Sequence, residues 1–329
     1  MGAGLGPKGW QAVRVARVAG IDCGTNSIRL LVADVDDGRL TDVDRRMEVV
    51  RLGQGVDSTG RIAPEALERT LAAARRYADV CESLGVTKLR FVATSATRDA
   101  ENRADFVAGV RGVLGVVPEV IGGSEEAQLS FRGATSTLAG RHPGPFLVVD
   151  IGGGSTEMVL GTTSPVAMAS MEVGCVRLTE RHLADDPPTG EQIAAASRDV
   201  VAALDVAGRQ VPFGRAETLV GLAGSVTTVT AHTLDLDAYD PGLIDGSVLP
   251  VDRVLASCRA LLTMPRSRRS RLPYMHPGRV DVIGAGALIW SDVIARVRAE
   301  VGRAGGRLDT VVTSEHDILD GITLSAAER

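Results

Sequence analysis

Two short turns, each rich in glycine and hydroxyl side chains, contain the residue types that best suit phosphate chemistry. Backbone amides that glycine leaves accessible, together with serine and threonine hydroxyls, donate short hydrogen bonds to phosphate oxygens. Either turn alone could be an ordinary hairpin connection, but the second has three consecutive glycines after an apolar run, which favours phosphate binding. The candidate phosphate-binding residues of the two turns are Gly24, Thr25, Asn26, Ser27, Gly152, Gly153, Gly154, Ser155 and Thr156.

Three acidic residues, Asp22, Asp150 and Glu157, lie at or beside these turns. A carboxylate facing a bound phosphate would repel it unless a cation lay between them, so the pattern predicts Mg²⁺ or another divalent cation. Asp150 and Glu157 are the better candidate ligands because they flank the triple-glycine turn. The alternative is that Asp22 and Asp150 only accept hydrogen bonds from turn amides.

A pair of adjacent acids, Glu125 and Glu126, follows Ser124 in a segment with a helical pattern. Acids in the first turn of a helix are expected from capping and from the helix dipole alone, so this spacing by itself favours a structural role. Adjacent helical residues point about 100° apart. At most one of the two carboxylates is therefore expected to face a cleft.

A third glycine turn, GLAGSVTT at 221–228, again connects an apolar run to a helical pattern. Its Gly224 and Ser225 could contact phosphates or a nucleoside, and the alternative is a close crossing of two backbone segments. Arg98 follows another strand end, where loops of α/β sheets carry ligands. Its guanidinium either donates two hydrogen bonds to a phosphate group, as a phosphate fork, or belongs to an ordinary surface arginine.

One dense basic stretch occurs at 265–279, with the sequence PRSRRSRLPYMHPGR. The functional interpretation is a track for a polyanion that enters the cleft, and the alternative is a solvated loop. The arginines of this candidate track are Arg266, Arg268, Arg269, Arg271 and Arg279.

The elements that must position these turns alternate between strand and helix patterns. An apolar run, a turn and a second apolar run occur at 18–35 and recur at 146–160, and both turns begin with an aspartate at a strand end. An internal duplication explains this repeat economically. A helical pattern at 64–84 and a strand pattern at 89–94 follow the first copy, as expected of an α/β domain.

The duplication predicts two domains with a cleft between them, which also fits the length of 329 residues. We expect a flexible leader at 1–17, an N-terminal domain at 18–132 and a C-terminal domain at 133–329. The GRHPGP stretch at 140–145 interrupts any regular element near that boundary. The last helix could pack back on the N-terminal domain.

Composition and charge restrict the class of protein. Hydrophobic residues make up 44% of the chain and the net charge is -5, which argues against a protein that covers DNA with a broad basic face. The four cysteines are widely spaced without a CxxC pair, so neither a zinc site nor a disulfide framework is predicted. No apolar segment reaches membrane-spanning length. We therefore expect a cytoplasmic α/β protein that does not associate with a membrane.

Six segments together resemble the exopolyphosphatase and guanosine pentaphosphate phosphohydrolase (Ppx/GppA) family, within the actin, sugar kinase and heat-shock ATPase superfamily. They are IDCGTNSIRLLVAD, ATSATRDAEN, GGSEEA, DIGGGSTE, MEVGCVRLTE and GLAGSVTT, in the family's order. VDVIGAGALI and SEHDILDGI are similar to later segments of short actinobacterial-type members. The resemblance implies an α/β, two-domain actin-like ATPase (ribonuclease H-like) fold with duplicated βββαβα-type domains and an interdomain cleft.

The resemblance also implies roles for individual residues. Glu126 matches the family's catalytic base, Asp150 and Glu157 match its metal-associated acids, and Arg98 matches the arginine of its TSAxR segment. The implied activity is Mg²⁺-assisted release of a terminal phosphate from inorganic polyphosphate or guanosine pentaphosphate, the latter a nucleotide of the stringent response. The sequence leaves the oligomeric state open, a homodimer included.

Two departures from the family pattern affect the expected substrate. Longer members continue into helical domains that would extend a polyanion track, so we expect a preference for short polyphosphates or a guanosine polyphosphate. The ending SEHDILDG replaces the family's arginine-bearing SxxxLREG pattern. A phosphate contact at that position is therefore not assigned.

Two other functions remain open from the residues. The first is a kinase or ATPase of the same superfamily, with GLAGSVTT holding adenosine. The second is a nucleotide-gated binding protein with slow turnover. Glu126 discriminates best among them, because a phosphatase needs its base directed at water and a kinase needs it directed at an acceptor pocket.

Overall fold

Residues 16–329 are described by a computed structural model, in which two mixed β-sheets form the centres of two lobes. The first sheet has the strand order β3-β2-β1-β4-β5. Its strands are β1 (Ala16–Cys23), β2 (Ser27–Asp36), β3 (Arg39–Val49), β4 (Lys88–Ala93) and β5 (Glu119–Val120). The predicted leader at 1–17 lies outside the described residues except for its last two, which begin β1.

Helices cover both faces of the first sheet, which explains why β1 is buried along most of its length. Helix α2 begins at Pro64, whose fixed φ suits the first helical position. The helices of this half of the chain are α1 (Val56–Thr59), α2 (Pro64–Ser83), α3 (Ser95–Asp99), α4 (Arg103–Leu114) and α5 (Gly123–Leu138).

The second sheet repeats the first and adds one strand. Its order is β10-β11-β9-β6-β7-β8, so β6, β7, β8, β9 and β11 correspond in position to β1 through β5. The duplication predicted from the two aspartate-led turns is confirmed. The strands are β6 (Phe146–Ile151), β7 (Thr156–Gly161), β8 (Pro165–Met171), β9 (Thr218–Leu222), β10 (Val248–Pro250) and β11 (Thr310–Thr313).

The helices of the second half surround a core that includes Trp290, which packs against Gly221 of β9. Two 3₁₀ turns, Phe213–Arg215 and Pro277–Arg279, connect longer elements. The helices are α6 (Cys175–His182), α7 (Gly190–Ala207), α8 (Ala223–Leu234), α9 (Pro241–Ile244), α10 (Val251–Thr263), α11 (Arg266–Arg269), α12 (Ile283–Arg303) and α13 (Ile318–Ala327).

Helix α13 packs on the first sheet and crosses α5 at very short range. A Cβ atom on Gly133 of α5 would lie 1.8 Å from the carbonyl oxygen of Asp317, and one on Gly321 of α13 would lie 2.1 Å from that of Leu129. Only glycine fits this crossing. Helix α5 runs through the predicted domain boundary between residues 132 and 133. The division of the chain into two domains at that point remains a prediction.

Among residues 16–329, no helix combines the length and the apolar character that crossing a membrane requires. All four cysteines are buried free thiols.

Candidate active site

A narrow cavity lies between the two lobes, where the three glycine turns approach one another. Its volume is about 80 Å³, and we call it the chamber. A wider cavity of about 490 Å³, the side cavity, adjoins it and shares four lining residues with it: Arg29, Ala223, Gly224 and Arg279. The chamber's other lining residues include Asp22, Gly24, Ser27, Glu126, Asp150 and Gly153.

The first turn connects β1 to β2 and presents Gly24 to Ser27 to the chamber. The Gly24 amide donates to the carbonyl oxygen of Ser27 at 3.0 Å, which closes the turn. The hydroxyl oxygens of Thr25 and Ser95 lie 2.9 Å apart within hydrogen-bonding range. The first turn is thus tied to the start of α3 before any ligand binds.

The second turn connects β6 to β7 and repeats this geometry. The Gly152 amide donates to the carbonyl oxygen of Ser155 at 3.0 Å. A Cβ atom on Gly153 would lie 2.8 Å from that of Thr25, so the two turns face each other across the lobes in close contact. Glycine at position 153 is therefore needed for closure of the two lobes as well as for access to the chamber.

Three of the predicted phosphate-binding residues do not line the chamber. The Thr156 hydroxyl is fully buried and donates to the carbonyl oxygen of Val173 at 2.6 Å, so it cannot reach a ligand. Gly154 does not line the chamber, because it packs against Ser95 and Thr25. Ser225 is buried against Gly286. Of the third turn, Gly224 and Ala223 line the chamber.

An interlobe cluster of ion pairs fixes the second turn from behind. The Arg177 guanidinium donates to the carbonyl oxygen of Gly154 at 2.8 Å and to the carboxylates of Asp57 and Asp99 in the other lobe. Arg181 also contacts Asp57, at 2.6 Å. These contacts hold the lobes together on one side of the chamber.

Asp22 lies at the end of β1, opposite Arg29 in the β1–β2 register. The Arg29 guanidinium donates to one oxygen of Asp22 at 2.6 Å and also to the carboxylate of Asp317, which caps α13. The second oxygen of Asp22, Oδ1, is buried and accepts no hydrogen bond from the described residues. Burial is the main cause that raises the pKa of Asp22.

Asp150 and Glu157 lie directly opposite each other across β6 and β7. Asp150 accepts a hydrogen bond from the Ser130 hydroxyl at 2.6 Å and faces the chamber, and burial raises its pKa to about 7. Glu157 accepts from Ser170 at 2.8 Å and lies behind Asp150. Burial, together with the charges of Glu126 and Asp150, raises the pKa of Glu157 well above its usual range.

Glu126, in the first turn of α5, has its carboxylate at the chamber wall and is only 8% exposed. Burial raises its pKa to about 8, the charges of Asp150 and Asp22 act in the same direction, and Arg98 opposes them. Glu125 points outward and contacts Arg90 at 2.6 Å. As expected for adjacent helical residues, only one of the two acids, Glu126, faces the cleft.

Arg98 does not line the chamber as the predicted phosphate fork would. Its Nη1 atom donates to the Glu126 carboxylate and to the carbonyl oxygen of Ile121, both at 3.2 Å. The side chain is therefore held beneath Glu126, where it orients that carboxylate and stabilises its ionised form.

The five arginines of the predicted polyanion track lie in different environments. Arg269 is buried and pairs with Asp186, while Arg266 pairs with Asp281, so each guanidinium already has a carboxylate partner. Arg268 and Arg271 are exposed. Arg279 alone reaches the chamber and the side cavity. The stretch does not form one continuous track.

Sequence reasoning missed Arg29, Ser95 and Ser130 as members of the site. Arg29 lies two residues after Ser27, and the signal for it was the duplication, since its position corresponds to that of Glu157 in the second copy. Ser130 lies one helical turn after Glu126 on α5, a spacing that places both on one face. No local pattern distinguishes Ser95.

Residues 31–307 match the model of the Ppx/GppA phosphatase family. The chain belongs to this family. Exopolyphosphatase 2 of Mycobacterium tuberculosis is 49% identical over 322 residues, covering 95% of this chain and 99% of that protein.

Solved Ppx/GppA structures share the fold over nearly the whole chain. A crystal structure of an exopolyphosphatase-like protein has a TM-score of 0.92 at 48% identity, covering 94% of this chain and 97% of the other. The PPX-GPPA enzyme of Aquifex aeolicus has a TM-score of 0.77 at 30% identity, covering 94% and 99%. The predicted actin-like ATPase fold and the predicted family resemblance are confirmed.

Proposed function

We propose that the protein is a phosphohydrolase that releases the terminal phosphate of inorganic polyphosphate by attack of water. The observation that carries this proposal is the position of Glu126, a buried carboxylate at the wall of a narrow chamber between two phosphate-suited turns. The likeness to Exopolyphosphatase 2 of Mycobacterium tuberculosis supports polyphosphate as the substrate class.

In this proposal the two turns bind the terminal phosphate through backbone amides, and Glu126 takes a proton from the attacking water. The oxygen of that water forms a bond to the terminal phosphorus while the bond from phosphorus to the bridging oxygen breaks. A general base is most effective when its pKa lies near the working pH. The raised pKa of Glu126, about 8, suits this role.

The chamber suits a hard divalent cation such as Mg²⁺. The unpaired buried Oδ1 atom of Asp22 and the carboxylate of Asp150 supply oxygen donors in an acidic site that otherwise repels phosphate. No three acidic, histidine or cysteine side chains of residues 16–329 converge to enclose a metal, so water and substrate oxygens would complete the shell, as Mg²⁺ prefers. When bound, the cation would neutralise charge on the phosphate oxygens.

The relation between the two cavities favours hydrolysis over transfer to an acceptor. A kinase would need an acceptor pocket beside its base, and the wider side cavity is not lined by Glu126.

A second candidate substrate is guanosine pentaphosphate, because the side cavity adjoins the chamber and has Tyr239, Tyr274 and Met47 in its walls, which could hold a nucleoside.

Phosphate release tests this function directly. Polyphosphate, guanosine pentaphosphate and ATP are supplied separately to the purified chain with Mg²⁺, and free phosphate is measured over time. We expect release from polyphosphate, with ATP the poorest substrate. Transfer of phosphate from ATP to an added acceptor without release from polyphosphate would contradict the proposal.

The metal requirement gives a second test. Asp150→Asn and Glu157→Gln each remove negative charge from the acidic wall, so each is expected to raise the Mg²⁺ concentration for half-maximal activity. The rise should be several-fold and larger for Asp150→Asn, since Asp150 lines the chamber and Glu157 lies behind it. Asp252→Asn, an exposed change elsewhere in the same lobe, is the control. Equal metal requirements in all three variants would remove both acids from the metal site.

The pH profile tests the pairing of Arg98 with Glu126. Activity should rise with pH as Glu126 loses its proton, and loss of the Arg98 cation raises the pKa of Glu126 further. Arg98→Gln should therefore move the acid limb of the profile to higher pH, measured at saturating Mg²⁺. Arg98→Lys keeps the charge and should retain most of the wild-type profile. If Arg98→Gln loses activity but the acid limb of its pH profile stays at the wild-type pH, Arg98 does not act through the pKa of Glu126.

A further inference from the structure

Strand β3 lies at the outer edge of the first sheet, and among residues 16–329 no strand pairs with its free side. The strand is long, with eleven residues at Arg39–Val49. Most of its first half is exposed, including the apolar side chain of Val43, which is 38% exposed. An edge strand presents unpaired backbone amides and carbonyls, so it can pair with a strand of another chain.

The charged side chains of β3 are complementary to their own reverse order. Charges on an edge strand usually prevent association, so their pattern decides whether a second strand is accepted. If two copies of β3 pair antiparallel about a point between positions 43 and 44, Arg39 lies opposite the partner's Glu48. Asp42 then lies opposite the partner's Arg45. By twofold symmetry each of these oppositely charged pairs occurs twice.

A β-bulge at Val43 makes this alignment compatible with the pleat of the strand. Arg39 and Glu48 are nine positions apart, so in a regular strand their side chains would point to opposite faces. Val43 is an extra residue in the register between β2 and β3, because its two neighbours pair with consecutive residues of β2. The extra residue reverses the alternation. Arg39 and Glu48 therefore point to the same face of the sheet, the face on which Glu48 contacts Arg76 of α2.

The charges of β3 remain accessible in a single copy. Arg39 is exposed and has no ion-pair partner within residues 16–329. Asp42 is 42% exposed and contacts Arg45 of its own chain at 2.9 Å, while Arg45 is held at 2.6 Å by the buried Asp320. Asp42 can therefore accept a hydrogen bond from a second arginine without loss of the contact that positions Arg45.

We propose that two copies of the chain associate through their β3 strands, antiparallel and centred on the two Val43 bulges, so that their first sheets become one continuous sheet. A second copy is the partner that fits, because β3 itself supplies both members of each charge pair. A shift by two residues would place Arg39 opposite the partner's Arg46, so repulsion between like charges also fixes the register. Arg45 and Met47 line the side cavity as well. The side cavities of the two copies would therefore lie beside the interface.

Sedimentation velocity over a range of protein concentrations tests the association and needs no substrate. An interface built on one strand pair is small, so we expect a dimer that dissociates on dilution. Arg39→Glu brings a carboxylate opposite the partner's Glu48 twice per dimer, and should raise the dissociation constant by roughly tenfold or more. Glu48→Arg should act similarly, by repelling the partner's Arg39. Arg103→Glu makes the same charge change at an exposed residue at the start of α4 and should dimerise as the wild type does.

A mixture of the two single variants tests the register. In a dimer of one Arg39→Glu chain and one Glu48→Arg chain, both outer pairs again join opposite charges. The mixture should therefore associate more tightly than either variant alone, and failure to do so would overturn the proposed pairing. A wild-type chain that stays monomeric at every concentration, or dimers that both variants leave unchanged, would also overturn it. If Glu48→Arg does not fold, equal dissociation constants for Arg39→Glu and Arg103→Glu would still contradict the proposal.

Discussion

Replacing Glu126 with glutamine is expected to lower kcat on polyphosphate by roughly 10² to 10⁴-fold, the usual contribution of a general base. Glutamine has the shape of the carboxylate but cannot accept a proton from water. The change is nearly isosteric, so folding and the binding of tripolyphosphate should be retained. Steady-state phosphate release and calorimetric binding measure the two effects separately.

Glu125→Gln is the matched control, because it removes the same charge from the adjacent residue of α5. The Glu125 side chain is 48% exposed and contacts Arg90, outside the chamber. We expect its kcat to stay close to that of the wild type. Similar losses in the two variants, or a greater loss in Glu125→Gln, would remove Glu126 from the role of base.

Replacing Gly133 with alanine is expected to lower the free energy of unfolding by about 3 kcal/mol or more, the upper range for overpacking a buried contact. The added methyl group would lie 1.8 Å from the Asp317 carbonyl oxygen, so α5 and α13 must move apart. That displacement would also disturb the Asp317 contact with Arg29. Urea denaturation followed by circular dichroism measures the change.

Gly112→Ala is the control for this substitution, since Gly112 lies within α4 and no atom would contact the added Cβ. It should increase stability by roughly 0.5 to 1 kcal/mol, because alanine favours the helix. A Gly133→Ala protein with an unfolding midpoint at or above that of Gly112→Ala would show that the crossing tolerates a methyl group.

The fold could be predicted because its signals are local. The apolar runs around Asp22 and Asp150, separated by glycine turns, correspond to β1–β2 and β6–β7 in the structure. The helix predicted at 64–84 ends within one residue of α2. Each of these signals depends on residues that lie near one another in the chain.

The partners of the charged groups could not be predicted in the same way. Arg98 meets Glu126 and Arg29 meets Asp317 only after the lobes and the last helix have packed together. The same is true of Arg269, which finds Asp186 far away in sequence. A sequence shows that a basic side chain is present, but the fold decides whether its charge remains available to a ligand.

The packing of α13 on the first sheet also has a consequence for biosynthesis. Val92 of the first sheet and Leu129 of α5 share a buried cluster with Ile318 and Ile322 of α13. A chain leaves the ribosome from its N-terminus, so this apolar face stays uncovered until α13 has been synthesised. The first lobe can therefore complete its core only after both β-sheets of the protein have left the ribosome, and until then Val92 and Leu129 lack their apolar partners.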